Sequence, residues 1–304
     1  IRRFVDGLAD RIGDADVRTR FVEAALWEGD IWCDYAVDPS RALDCYGRAL
    51  AVEPDLHSAR YRQAQCQFLM GDHDAALETI QGLLELDLPP EESARYRVYR
   101  GRIRALGLGN ETLAMEDYRA AQNIDPQSGE ALLARVLVLR AGRQIDELMA
   151  LLENQQALVE SPLDASPALS MLKTVAGGVL HEHGQSDAAE RLLKPLASGS
   201  GFAARDARFV LAGIHAGRDR VDAAMEVVLR SLDEDVCDIR AVRALANLAT
   251  QSGDQDRLLQ TLSVLELYGA LDVDERTQLD LLEERFRKLR DRGGHVIRDE
   301  GTNY

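Results

Sequence analysis

One spacing occurs twice in this chain and constrains it more than any other feature. Ala42, Tyr46, Ala49 and Pro54 stand at offsets of zero, four, seven and twelve, and Ala114, Tyr118, Ala121 and Pro126 repeat both offsets and residue types. Residues at i, i+4 and i+7 share one face of an α-helix, so each set describes a helix with a small–aromatic–small stripe. The proline five residues later falls where that helix has ended, because it lacks an amide hydrogen and its ring collides with the preceding turn. Identical punctuation about seventy residues apart, with a weaker copy between, marks an internal repeat. Such a chain grows by adding units rather than by thickening one core.

Glycines punctuate the rest. Gly71, Gly109, Gly142, Gly184, Gly217 and Gly253 each follow a helical pattern and precede a second one. Glycine past a helix end supplies the left-handed turn that a β-carbon hinders, so each is expected to close a first helix. The earliest unit carries Asp38-Pro39 instead, an N-cap followed by proline in the first turn. Small residues recur twelve positions apart, as Ala64 and Ala76, Gly177 and Ala189, and Ala212 and Ala224, where close helix approach is expected. Glu147 replaces the alanine in the fourth unit, Ser231 ends the apolar ladder in the sixth, and Pro195 is expected to end or bend its helix near Leu193.

These features resemble the tetratricopeptide repeat family over roughly Arg20 to Ala270. The resemblance implies an all-α fold, a right-handed α-solenoid of about seven helix–turn–helix repeats with a C-terminal capping helix. Residues 1–19, with Phe4, Val5 and Leu8, are expected to form an N-terminal cap or partial repeat. A block of four repeats over 20–160, a loop or hinge at 161–169, three repeats over 170–270, a capping helix at 271–292 and a polar tail at 293–304 complete the organisation.

A net charge of −16 argues against a general nucleic-acid or anionic-membrane role. No apolar run is long enough to cross a bilayer. None of Cys33, Cys45, Cys66 and Cys237 forms a C-x-x-C pair, although Cys33 and Cys45 could face each other across one helix pair. His181-Glu182-His183 places its histidines two apart, on different sides of a helix, unlike a zinc-protease pair. No nucleophile elbow, phosphate loop or dinucleotide fingerprint is present. The chain therefore reads as a non-enzyme with no cofactor, and the expected partner is a protein or peptide. Cytoplasmic residence is expected, or periplasmic if a signal segment has been removed.

The resemblance implies that first helices line a concave groove. Tyr61, Gln65, Phe68, Tyr96, Tyr99 and Ile103 would then form an apolar strip, extended by Leu132, Val136 and Leu139. Beside it Arg95, Arg97, Arg100, Arg102 and Arg104 make a cationic island, from which Arg100 joins the expected site. In the seventh unit Arg240, Arg243, Asn247 and Gln251 form a polar row. Arg243 and Asn247 resemble half of a carboxylate clamp, in which an amide holds peptide backbone and a cation holds a terminal carboxylate. The leading expectation is an interaction scaffold. The alternatives are a regulatory or substrate-selecting module of a larger glycosyltransferase, sulfotransferase or protease, and an envelope assembly factor. A monomer is expected, with a dimer through the Leu279, Leu282 and Phe286 stripe of the last helix as the alternative.

Overall fold

The structure, a computed structural model, describes residues 15–160 and 166–299, with side chains through residue 289. The expected apolar opening face at Phe4, Val5 and Leu8, and most of the Ser161–Pro167 break, lie outside those residues. Every described regular element is helical. The helices pack in consecutive antiparallel pairs, each an A helix followed by a B helix. The first unit, Ile1–Leu158, holds four pairs: α1 (Ala15–Asp30) with α2 (Pro39–Val52), α3 (His57–Leu69) with α4 (His73–Leu84), α5 (Pro90–Arg102) with α6 (Glu111–Ile124), and α7 (Gly129–Ala141) with α8 (Ile145–Asn154). A single turn, α9 (Gln156–Val159), follows. The second unit, Val159–Tyr304, holds α10 (Pro167–Glu182) with α11 (Ser186–Ala197), α12 (Phe202–Gly217) with α13 (Val221–Glu234), and α14 (Ile239–Ser252) with α15 (Gln255–Leu267). The last helix, α16 (Val273–Asp299), runs past residue 292, where a polar tail was expected to begin.

The turn inside each pair obeys one rule. A left-handed residue stands five positions before a buried side chain on the B helix. The seven are Val37 before Ala42, Gly71 before Ala76, Gly109 before Ala114, Arg143 before Leu148, Gly184 before Ala189, Asp219 before Ala224 and Gly253 before Leu258. This corrects the expectation at two glycines. Gly142 has φ −74° and Gly217 is the last residue of α12, so the left-handed positions fall on Arg143 and Asp219 instead. The register shift also places Leu148, fully buried, where Glu147 was expected; Glu147 faces solvent and pairs with Arg119 at 2.9 Å. At Val37, φ is 52°, a conformation a β-branched residue adopts at a cost of roughly 1–2 kcal/mol. Val37→Gly is expected to raise unfolding stability by about 1 kcal/mol, glycine's greater unfolded freedom returning part of the gain. A urea midpoint that falls would show that exposed Val37 makes contacts that outweigh its backbone strain.

Side-chain caps start the B helices as the residue types require. Asp38, Asp72, Asn110 and Asp254 each accept from the backbone N–H three residues on. Pro195 does not end α11, which continues to Ala197. It sits in the last turn, where a missing donor costs one hydrogen bond rather than a run of them.

Two A helices differ from the rest. α1 continues into a π-helical turn, Ile31–Tyr35, and α5 into another, Ile103–Gly107. The turns are as far apart as Ala42 and Ala114, so the duplicated spacing extends to backbone conformation. The cause is one extra residue. Gly29 and Gly101 precede their B-helix alanines by thirteen positions, against twelve for Ala64 and Ala76. A π turn absorbs that residue without breaking the helix.

The duplicated glycines are where A and B helices touch. A β-carbon on Gly29 would lie 2.6 Å from the Tyr46 ring, and one on Gly101 would lie 2.4 Å from the Tyr118 ring. Gly177 meets Leu193 in the same way, at 2.5 Å. Just before each duplicated glycine an ion pair ties the two helices together. Glu28, 5% exposed, accepts from Arg48 at 2.8 Å. Arg100 donates to Asp117 in both prongs, at 2.6 and 3.0 Å. The charges are exchanged between the two copies. Gly101→Ala is expected to lower stability by about 1–3 kcal/mol, because the buried tyrosine must move. Gly47→Ala, in the interior of α2 with nothing within 4 Å of the new carbon, should raise it by roughly 0.5–1 kcal/mol. Equal effects of the two substitutions in urea unfolding would refute the packing account.

In the second unit the apolar side chains of α12 to α15 form one cluster that Leu279 and Leu282 of α16 complete, with Phe286 packed against it. The stripe considered for a dimer, Leu279, Leu282 and Phe286, is therefore occupied by the chain itself; Leu289, further along the helix, is exposed.

Candidate functional site

The expected apolar strip is made of two layers with different roles. Tyr96, Tyr99 and Ile103 of the third pair are 0%, 7% and 0% exposed and join Ala64, Ala76, Ile80 and Leu83 in one cluster. The small residues on α3 and α4 leave room that wide side chains from the next pair fill. Those three are therefore packing between repeats, which corrects the expectation of a contact surface. Leu132, Val136 and Leu139 are buried as well. Tyr61, Gln65 and Phe68 on α3 form the outer layer, half-buried. The Tyr61 ring stacks on Tyr96 at 5.1 Å and meets the Tyr99 ring edge-on at 5.2 Å. Phe68 lies 6.2 Å from Tyr99 and 5.1 Å from His73. A rigid aromatic platform thus has buried rings beneath and one tyrosine at its rim.

Four of the five arginines divide between two faces. Arg100 and Arg104 turn toward the B helix and share Asp117, which is 2% exposed. Arg100 also donates to Gln81 at 2.8 Å. Arg100 is thus a tie within the fold, and its place in the expected site is corrected. Arg95 and Arg102 stay on the exposed side. The Arg95 guanidinium sits 5.3 Å from the centres of both the Tyr61 and Tyr96 rings, within reach of a cation–π attraction. Burial raises the Tyr61 phenol above its ordinary value; Arg95 and Arg102 oppose that rise and Glu130 adds to it. Charges from α5 and α7 therefore converge on one hydroxyl of α3. On the other side Arg62 pairs with Asp30 at 3.4 Å and donates to Gln65 at 3.3 Å, while Asp30 accepts from the Tyr46 hydroxyl at 2.7 Å. Leu69 on α3, Leu106 in the π-helical turn after α5 and Leu137 on α7 are exposed.

Arg62, Arg95, Arg102 and Glu130 were absent from the expected site. A signal was available. Arg102 directly follows Gly101, the small residue packed on the B helix, as Gln65 follows Ala64 and Asn247 follows Ala246. Reading that signal requires knowing which small residue packs, and the extra residue in α1 and α5 hides that.

In the second unit the polar row is mostly engaged within the fold. Arg240 pairs with Asp206 at 2.5 Å and lies 4.1 Å over the Phe209 ring. Arg243 donates to both oxygens of Glu275, at 2.7 and 3.1 Å, and to the Ala270 carbonyl at 2.5 Å. It fastens the start of α16 to α14. A peptide carboxylate would have to displace Glu275, so the half-clamp expected at Arg243 and Asn247 is not open to a ligand. Gln251 donates to the Ala216 carbonyl at 3.2 Å, and Asn247 is exposed. His181 is held by Ser186 at 3.0 Å. Among the described residues no cluster of three or more His, Cys, Asp or Glu could hold a metal, and no helix is long and apolar enough to cross a membrane.

Residues 35–87 and 70–129 match the tetratricopeptide repeat. Solved structures share the fold at low identity. A tetratricopeptide repeat protein from Parabacteroides merdae is 14% identical, with 86% of this chain and 98% of that one covered and a TM-score of 0.50. A monomeric mutant of IFIT1 with Gppp-AAAA is 14% identical over 95% of this chain and 67% of that one, with a TM-score of 0.62. Yeast Tom70 is 14% identical and covers all of this chain, which spans 62% of the Tom70 chain, with a TM-score of 0.60. No curated protein matches the sequence.

Proposed function

We propose that this chain, whose residues 35–129 match the tetratricopeptide repeat, is a non-catalytic module holding a segment of another protein against the A helices of its first unit. The observation that carries this reading is the convergence of Tyr61, Arg95 and Arg102 from neighbouring repeats, backed by a stack of buried rings. Tyrosine and arginine are the side chains most often dominant at protein interfaces, and both are held here on rigid helices. The exposed leucines of the same repeats fit the apolar side of the segment, and the arginines fit acidic side chains on it. The bound segment is therefore amphipathic and acidic. A nucleic acid, such as the capped oligonucleotide with IFIT1, is disfavoured by the net charge of −16, which repels a polyanion along its whole length.

The test is a binder selected from an acidic-peptide library and measured by fluorescence anisotropy. Tyr61→Ala and the pair Arg95→Glu with Arg102→Glu are each expected to weaken it by about tenfold or more, or roughly 1.4 kcal/mol or more. Asn247→Ala in the second unit should leave it unchanged. Affinity that survives both first-unit changes would overturn the proposed surface.

A further inference from the structure

Cys33 lies in the π-helical turn that ends the first A helix, and Cys66 lies on α3, the A helix of the next repeat. The two sit in one cluster with Ala42 and Tyr46, flanked by Leu26, Trp32 and Leu43. Cys66 is fully buried and Cys33 is half-buried. The two thiols are neighbours in that cluster and shift each other: Cys66, as a hydrogen-bond donor, lowers the Cys33 thiol and is itself raised by Cys33. Cys45, the sequence-level candidate partner for Cys33, instead accepts from Arg48 at 3.2 Å. Both thiols are free in the structure.

We propose that Cys33 and Cys66 are a disulfide-forming pair, joining the A helices of the first two repeats when the protein meets a peroxide. The roles follow from the geometry. Cys33 is the sulfur a small oxidant reaches; burial, Asp34 and Asp30 raise its thiol, and Cys66 and Arg62 oppose that rise. Cys66 is shielded from the oxidant and placed to attack Cys33. In the first step the Cys33 sulfur attacks one peroxide oxygen, the O–O bond breaks, and the sulfenic acid and one water form. In the second, the Cys66 sulfur attacks the Cys33 sulfur, the S–O bond breaks, and the hydroxide leaves as water with the Cys66 proton. Two thiols and one peroxide give one disulfide and two waters. Burial pushes both thiols up, Cys66 to about 12, so the pair is slow and acts under sustained oxidation rather than as a fast scavenger.

The pair is unrelated to the proposed binding reading and stands without it. Purified protein is treated with hydrogen peroxide, alkylated, digested and mapped by mass spectrometry. The expected product is a Cys33–Cys66 cross-linked peptide lighter than its two parts by two hydrogens, while Cys45 and Cys237 are recovered alkylated. Cys66→Ser should leave Cys33 as a sulfenic acid that a dimedone probe traps, a signal the wild type loses to the disulfide. Circular dichroism checks that the variant stays helical. Cross-linking of Cys33 to Cys45 would overturn the proposal. So would Cys33 over-oxidised with Cys66 still alkylatable, or equal dimedone trapping in variant and wild type.

Discussion

Asp117→Ala should destabilise the first unit by about 3 kcal/mol, because it strands two arginines that share one buried carboxylate. Arg100 and Arg104 reach Asp117 at 2.6 and 2.8 Å, with the arginine side chains 13% and 19% exposed and the aspartate 3%. Removing the carboxylate leaves two like charges close together and poorly hydrated, so the loss exceeds that of an ordinary surface pair, which is roughly 0–1 kcal/mol. Asp117→Asn keeps an acceptor and should cost less. Arg104→Ala should cost less still, since the two-pronged Arg100 contact survives. Urea unfolding of the three variants tests the order. If Asp117→Ala costs no more than Arg104→Ala, the shared carboxylate is not what joins α5 to α6.

Arg208→Ala should cost the second unit about 3–5 kcal/mol, for a different reason. Arg208 is 3% exposed, and its guanidinium donates to the carbonyls of Ala197, Gly199 and Arg230 and to Glu234. The carbonyl partners include the last residue of α11, where a helix runs out of internal donors, and Arg230 within α13. Alanine would leave carbonyls without a donor as well as an apolar gap. Lysine keeps the charge but not the planar fork, so Arg208→Lys should recover only part of the loss. Arg208 also holds the Glu234 carboxyl below its ordinary value. A carboxyl lowered on folding stabilises above its unfolded pKa, roughly 4.3, and that contribution disappears as pH falls through the folded value. Wild type should therefore lose stability below about pH 4.3 more steeply than Arg208→Ala. Parallel acid profiles would show that Glu234 is not coupled to folding through Arg208.

The helical repeat was legible because it rests on local rules. Spacing, caps and turn residues act within a few positions of one another, so Asp38, Gly71, Asn110 and Asp254 could be read where they stand. The failures came where a local signal had two solutions. Gly142 and Gly217 look like turn glycines, yet Arg143 and Asp219 take the left-handed position, because burying Leu148 and Ala224 fixes the register. The site was less legible than the fold. Tyr96 and Tyr61 have the same chemistry and both lie on A helices, yet one is buried beneath the other. Arg100 and Arg102 are two residues apart and serve opposite faces. Arg243 has the residue type of a ligand-holding cation and is held by Glu275, thirty-two positions away.

The amino-acid sequence by itself determined a stack of paired helices, since periodicity and punctuation act through backbone geometry that each short segment carries alone. Tertiary structure decided which aromatic rings fill the gaps between repeats, which arginines find buried carboxylates and which two thiols meet. Those outcomes depend on contacts between residues far apart in the chain, and helical spacing alone does not announce the π turns that take up one extra residue after α1 and α5.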